Sequence, residues 1–222
     1  MTKIIGHRGA AGLALENSLE SIKAALKLPV DGIEFDIRRT KDGKLVLMHD
    51  WNTARIADKR LNVGSSTLAE LRKISLRNGE KIPTLEEVLE VAANRKPLSI
   101  DIKSTGVTDE LLRQLDAYPK ADIILSSRLY DELKKLHKAR PDIPFIVQHH
   151  FDSMEIIRLA RNMGAKGICL NMWLMNPIAY RLAKRYHLEI HVYTINSRWI
   201  MRFFQVFYPD AIIITNHPER ML

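Results

Sequence analysis

Hydrophobic and polar positions follow two alternating periods along the chain. Short runs rich in Ile, Val and Leu, with a period of two, predict strands over 3–6, 31–37, 98–102, 122–126, 144–148, 166–170, 189–194 and 211–214. Apolar positions at helical spacing predict helices over 18–27, 84–93, 107–116, 128–138, 153–162, 177–186 and 197–206. Polar residues mark the helix starts: Asn17 with Glu20 reads as a capping box, Thr84 precedes Leu85-Glu86-Glu87, and Asp152 precedes Ser153-Met154-Glu155. Strands alternating with helices predict a parallel sheet, and eight strands are the number that closes a barrel. The expected fold is a single (β/α)₈ TIM barrel domain over 1–222.

One segment breaks the alternation. Lys44-Leu45-Val46-Leu47-Met48-His49 is strand-like, yet only Thr40-Lys41-Asp42-Gly43 separates it from the second strand. A parallel crossover does not fit in four residues, so the pair is expected to form an antiparallel hairpin around Asp42-Gly43. That pairing sets His49 opposite Phe35. Residues 51–82 are then an excursion over the C-terminal mouth, rejoining at Ile82-Pro83-Thr84.

Thirty-four Lys and Arg against 26 Asp and Glu give a net charge of +8, which favours anionic partners. No basic stripe with interleaved aromatics is present, so nucleic acid is not an expected partner. Cys169 is the single cysteine, no apolar run reaches membrane-spanning length, and a strand begins at Lys3; these features lead us to expect a cytoplasmic location.

Chemistry concentrates at the strand ends. In Gly32-Ile33-Glu34-Phe35-Asp36-Ile37, alternation sends Ile33, Phe35 and Ile37 to one face and Glu34 and Asp36 to the other. If the apolar set meets the helices, both carboxylates enter the barrel near its mouth. Such a pair is satisfied either by a neighbouring Arg or Lys or by a hard divalent cation with oxygen ligands. Leu98-Ser99-Ile100-Asp101-Ile102-Lys103 alternates in the same way and adds Asp101 and Lys103 to the polar face. Three acids against one lysine favour a metal, Mg²⁺ or Ca²⁺. Strand one ends in Gly6-His7-Arg8-Gly9, and the hairpin delivers His49. Two histidines, a metal and a guanidinium are parts suited to phosphodiester cleavage.

The chain resembles the glycerophosphodiester phosphodiesterase family over nearly its whole length. The matching motifs are His7-Arg8-Gly9, Glu16-Asn17-Ser18, Glu34-Phe35-Asp36, Val46-Leu47-Met48-His49-Asp50, the Ile-Pro-Thr-Leu-Glu-Glu-Val-Leu run at 82–89, and Ser126-Ser127. The resemblance implies a (β/α)₈ barrel, His7 and His49 as general acid and base, Glu34 and Asp36 as metal ligands, and Arg8 on the phosphate. It departs from the family at three places. Asp101 stands where Glu is usual in Ile-Glu-Ile-Lys, Tyr193-Thr194-Ile195-Asn196 replaces Trp-Thr-Val-Asn, and Asn216 replaces an Asp expected only to organise the last loop. Lys103 and Tyr193 join Arg8 as candidate substrate contacts. The expected substrate is a small glycerophosphodiester, cleaved to glycerol 3-phosphate and an alcohol. Lysophospholipase D or cyclising activity on the same scaffold is the near alternative, and a non-catalytic phosphate-binding barrel the distant one.

Other residues carry plainer readings. Asn17 is expected to be a helix cap, and Glu16 either orients a catalytic group or binds an arginine. His149 and His150 read as solvated loop histidines, with alternation from Gln148 offering the mouth as the other placement for His150, and His191 as a hydrogen-bonded interior one. Ile200, Phe203, Phe204 and Phe207 follow helical spacing and are read as core, while Trp173, placed where loops meet substrate, either contacts an acyl chain or packs the excursion.

Overall fold

A computed structural model describes residues 2–149 and 152–221. Eight parallel strands close a barrel: β1 (Ile4–Gly6), β2 (Gly32–Arg39), β4 (Leu98–Ile102), β5 (Ile123–Ser127), β6 (Phe145–His149), β7 (Gly167–Asn171), β8 (Glu189–Tyr193) and β9 (Ala211–Thr215). Closure is made by β1, which pairs with β2 on one side and β9 on the other. The ninth strand, β3 (Leu45–Leu47), lies outside the barrel and runs antiparallel to β2 in the register Ile37↔Leu47. Continuing that register two residues sets His49 against Phe35, as the hairpin reading expected. Gly43, with φ +81°, supplies the left-handed turn residue.

Seven helices cover the barrel: α1 (Leu19–Leu26), α3 (Leu85–Ala92), α4 (Thr108–Asp116), α5 (Tyr130–Ala139), α6 (Ser153–Met163), α7 (Pro177–Arg185) and α8 (Arg198–Phe207). Strand and helix bounds fall within two residues of those expected. Ile33, Phe35 and Ile37 face the helices and are fully buried against them, so Glu34 and Asp36 point inward. Helix α3 shows why these segments are helical. Leu85, Val88, Leu89 and Ala92 share its buried face, and Thr84 and Glu87 form a reciprocal capping box. Full burial of each large aliphatic side chain there contributes about 1.5–3 kcal/mol. Asp152 caps α6 as expected, accepting from the Met154 and Glu155 amides.

The excursion has structure that hydrophobic periodicity did not reveal. It contains a 3-10 turn (Val63–Ser65) and a four-residue helix, α2 (Leu68–Leu71). Ile56, Val63, Leu71, Ile74, Leu76 and Ile82 pack with Val46 and Met48 into a small core of their own. A third cluster, with Ile5, Ile146, Cys169, Ile212 and Ile214, fills the barrel interior. His191 is buried in the barrel, its Nε2 3.4 Å from Glu189 Oε2, as the interior reading expected.

Candidate active site

The site is built on β2 and β4, whose register pairs Asp36 directly with Asp101. Glu34 lies two residues below Asp36 on the same inward face. Carboxylate oxygens of Glu34, Asp36 and Asp101 lie within 4.8 Å of one another, and all three residues are buried. Lys103 stands over the cluster, its Nζ 2.5 Å from Asp101 Oδ2 and 3.2 Å from Asp36 Oδ1. Arg8 Nε lies 3.2 Å from Asp36 Oδ2.

These charges are unequal in their effects. Burial disfavours ionisation of Asp36, but Lys103 and Arg8 outweigh it and hold the carboxyl at about 2. Burial, then repulsion from Asp36 and Asp101, pushes Glu34 well above the ordinary carboxylate range. Burial also raises Asp101, despite Lys103 beside it. Asp101 Oδ1 is buried with no hydrogen-bond partner among the described residues. Three hard oxygen donors at this spacing, one of them orphaned and one resisting ionisation, fit a divalent cation.

The His-Arg-Gly turn is held by its own backbone. Arg8 adopts φ +51°, and its amide donates to Glu34 Oε2 at 2.8 Å. Gly9 has φ +86°, and a Cβ there would sit 2.5–2.7 Å from Ser21 atoms, so glycine is required. His7 Nδ1 lies 2.6 Å from Asn216 Oδ1, an atom that only accepts, so Nδ1 carries the proton and Nε2 holds the free lone pair. Nε2 lies 3.9 Å from Glu34 Oε2. Burial and the neighbouring Arg8 lower the His7 pKa to about 4. His49 Nδ1 lies 2.8 Å from Asp50 Oδ1.

Several residues at this site were not legible as such in the sequence. Asn17 is not the cap of α1: Ser18 is, accepting from the Ser21 amide. Asn17 is buried with φ +53° and clamps Asp36, donating from Nδ2 to its carboxylate and accepting its backbone amide. Asn216 anchors His7 as well as belonging to the last loop. Glu16 binds arginine, the second of the two readings weighed for it: it bonds Arg8 at 2.6 Å and pairs with Arg55 of the excursion. Arg55 in turn bonds Asp50, so one ionic chain links His49 to Arg8. Arg38 grips the carbonyls of both His49 and Lys103. No excursion residue lines the cleft itself. Its contribution is the Arg55 brace.

A cleft of about 320 Å³ opens at the C-terminal mouth, lined by His7, Arg8, Glu34, Asp36, His49, Asp101, Lys103 and Tyr193. Every expected site residue therefore faces one cavity. Arg128, Gln148 and Trp173 also line it. Gln148 donates to Asp101 Oδ2 at 2.8 Å. His149 Nε2 lies 3.4 Å from Glu155 on α6, and His150 lies outside the described residues.

Fold and site together define a class: a (β/α)₈ barrel whose mouth sets a metal-capable acidic cluster among two histidines and an arginine. The chain belongs to the glycerophosphoryl diester phosphodiesterase family, whose model matches residues 7–220. It is a phosphodiester hydrolase. A glycerophosphodiester phosphodiesterase of Caldanaerobacter subterraneus subsp. tengcongensis is 28% identical, over 100% of this chain and 96% of that one. The crystal structure of a glycerophosphodiester phosphodiesterase from Thermotoga maritima superposes with a TM-score of 0.85 at 25% identity, covering 100% of this chain and 97% of the other. An Oleispira antarctica phosphodiesterase, solved with its product sn-glycerol-3-phosphate, gives a TM-score of 0.92 at 21% identity over 100% and 95% of the two chains. No helix among the described residues is long and apolar enough to cross a membrane.

Proposed function

We propose that the protein hydrolyses small glycerophosphodiesters to glycerol 3-phosphate and an alcohol, with His7 and His49 as its acid–base pair. The observation that carries this reading is the unequal support of the two rings. Asn216, a neutral amide, fixes the His7 tautomer with Nε2 unprotonated, and burial keeps the ring neutral. That suits the group that first removes a proton. Asp50, a carboxylate, faces His49, the arrangement suited to a ring that passes through the charged form. Glu34, Asp36 and Asp101 would hold one divalent cation, Mg²⁺ or Ca²⁺, which supplies charge stabilisation to the phosphoryl oxygens when bound. Arg8, fixed by Glu16 and Asp36, offers a guanidinium to the same oxygens, and Lys103 and Tyr193 line the substrate's path.

A glycerol phosphodiester carries a hydroxyl next to the esterified carbon. In our reading His7 takes the proton of that hydroxyl as its oxygen attacks phosphorus, and His49 protonates the leaving alcohol. Water then opens the cyclic phosphate with the roles reversed. Internal attack gains the advantage of an intramolecular reaction. Either histidine changed to Ala is expected to lower kcat by several orders of magnitude, and the two losses should not add, because both residues serve one proton cycle. The test is a substrate analogue lacking the neighbouring hydroxyl. Cleavage as fast as the parent's would rule out internal attack. One observation favours a second substrate, a lysophospholipid: Trp173 lines the cleft and is 80% exposed at its rim.

A further inference from the structure

Helix α8 buries only part of the set that helical spacing led us to expect: Phe204 is buried and Ile200 packs against the core, but Phe203 and Phe207 are exposed. Met201 and Phe204 form its buried face, backed by Tyr208. Trp199, Phe203, Val206 and Phe207 all lie outward, with Trp199 79% and Val206 71% exposed. At 100° per residue these four occupy one continuous arc, and Arg198 and Arg202 form its edge. Phe203 and Phe207 lie against each other, ring centroids 4.6 Å apart, and Phe203 meets the buried Phe204 and Tyr208 edge-on while staying 48% exposed. Two more exposed apolar side chains, Trp173 after β7 and Ile178 in the first turn of α7, stand at the mouth end of the adjoining βα units. Trp173 also lines the catalytic cleft. Six of the nine large apolar residues exposed among the described residues thus fall between 173 and 207, on neighbouring elements.

We infer that this surface, the outer face of α8 together with Trp173 and Ile178, docks the enzyme onto an anionic lipid bilayer. Tryptophan and phenylalanine beside arginine, with no acidic residue anywhere from 197 to 207, is the composition of a helix lying in a membrane interface. The fold does not need these side chains exposed, and single apolar residues on a surface do not line up along a whole helix. Charge selects the occupant. A second copy would set the same arginines against a face with no carboxylate to receive them. The nearest acid that follows, Asp210, already pairs with Lys184 at 2.6 Å. An anionic bilayer meets both halves of the pattern, since acyl chains take the aromatics and phosphate headgroups take Arg198 and Arg202. The exposed basic residues of α7, Arg181 and Arg185, and the net charge of +8 act in the same sense.

The test uses the full chain and vesicles, and needs no turnover. Co-sedimentation is measured with phosphatidylcholine vesicles alone and with phosphatidylcholine plus phosphatidylglycerol, alongside tryptophan emission. Wild-type protein should bind the anionic vesicles with a blue shift, bind the neutral ones far less, and be released by salt. Trp199→Ser combined with Val206→Ser and Phe207→Ser, and separately Arg198→Gln with Arg202→Gln, should each lower partitioning about tenfold or more. Thermal melts and cleavage of a water-soluble glycerophosphodiester should match wild type, because none of these residues lies in the cleft. Absence of wild-type binding to anionic vesicles overturns the inference, as does binding unchanged in both variants. So does a wild-type oligomer that the serine variant converts to monomer without any vesicle binding, which would make the stripe a self-association face.

Discussion

Replacing Glu34 by Gln should stabilise the metal-free protein while destroying its function. Glu34 faces two other carboxylates across at most 4.8 Å. At an effective dielectric of about 20, each unit-charge pair at that distance repels by about 3.5 kcal/mol. Arg8 offsets part of this through its charge and its amide, but its guanidinium contacts Glu16 and Asp36, and Lys103 contacts Asp36 and Asp101. Burial and repulsion from the two neighbours therefore hold Glu34 well above the ordinary carboxylate range in the metal-free fold. From its ordinary value of 4.5, proton uptake at pH 7 costs about 3.4 kcal/mol, which caps the penalty. Glutamine removes that penalty and keeps an oxygen for the Arg8 amide. Glu34→Gln should therefore be the more stable protein at pH 7, by no more than that cap. A folded pKa above the unfolded one means wild type is unpenalised below about 4.5 and loses stability as pH rises. The gap between variant and wild type should therefore vanish near pH 4 and widen upward. Urea unfolding in chelator across pH measures it. Saturating Mg²⁺ or Ca²⁺ should reverse the order, since only wild type keeps all three ligands; at 1,000 times its Kd a ligand adds about 4.1 kcal/mol, more than the cap. A Glu34→Gln protein less stable than wild type in chelator at pH 7 would refute this electrostatic account.

Asp101→Ala should weaken metal binding at least tenfold by calorimetry, and Asp101→Glu should restore it, because a longer carboxylate still reaches the cluster; unchanged affinity in Asp101→Ala would place the third ligand elsewhere. The His7 ring should titrate near pH 4 in NMR spectra of the metal-free protein, staying neutral through the physiological range; its midpoint lies below the unfolded 6.5, so this residue's share of stability is present above 6.5 and lost as pH falls toward 4. A midpoint near 6.5 would remove the burial argument for His7 as the resting base.

The parts of this molecule that announced themselves are those where local pattern and final environment agree. Ile33, Phe35 and Ile37 alternate with Glu34 and Asp36, and a barrel leaves no other placement for the acids. Asp42-Gly43 in a four-residue gap specified the hairpin, and hence the approach of His49. Asn17 misled because the residue that caps helices best is also one that tolerates φ +53° and can grip a carboxylate through both amide atoms. The true cap, Ser18, is its neighbour. In α8 nearly every position is apolar or arginine, so periodicity found a helix but could not choose its buried face. The excursion's small core comes from irregular chain, where spacing has no period to read. Arg55 and Asn216 reach the site across long sequence separations, and no short-range pattern marks such contacts.

The central claim is that this mouth cleaves glycerophosphodiesters with the help of a metal held by Glu34, Asp36 and Asp101. Its most direct test is release of glycerol 3-phosphate from glycerophosphocholine, glycerophosphoethanolamine and glycerophosphoglycerol, and of lysophosphatidate from a lysophospholipid, with each metal and with chelator. We predict glycerol 3-phosphate from at least one glycerophosphodiester, lost in chelator, restored by Mg²⁺ or Ca²⁺, and absent with Asp36→Asn. Full turnover in excess chelator, or undiminished release by Asp36→Asn, would contradict it.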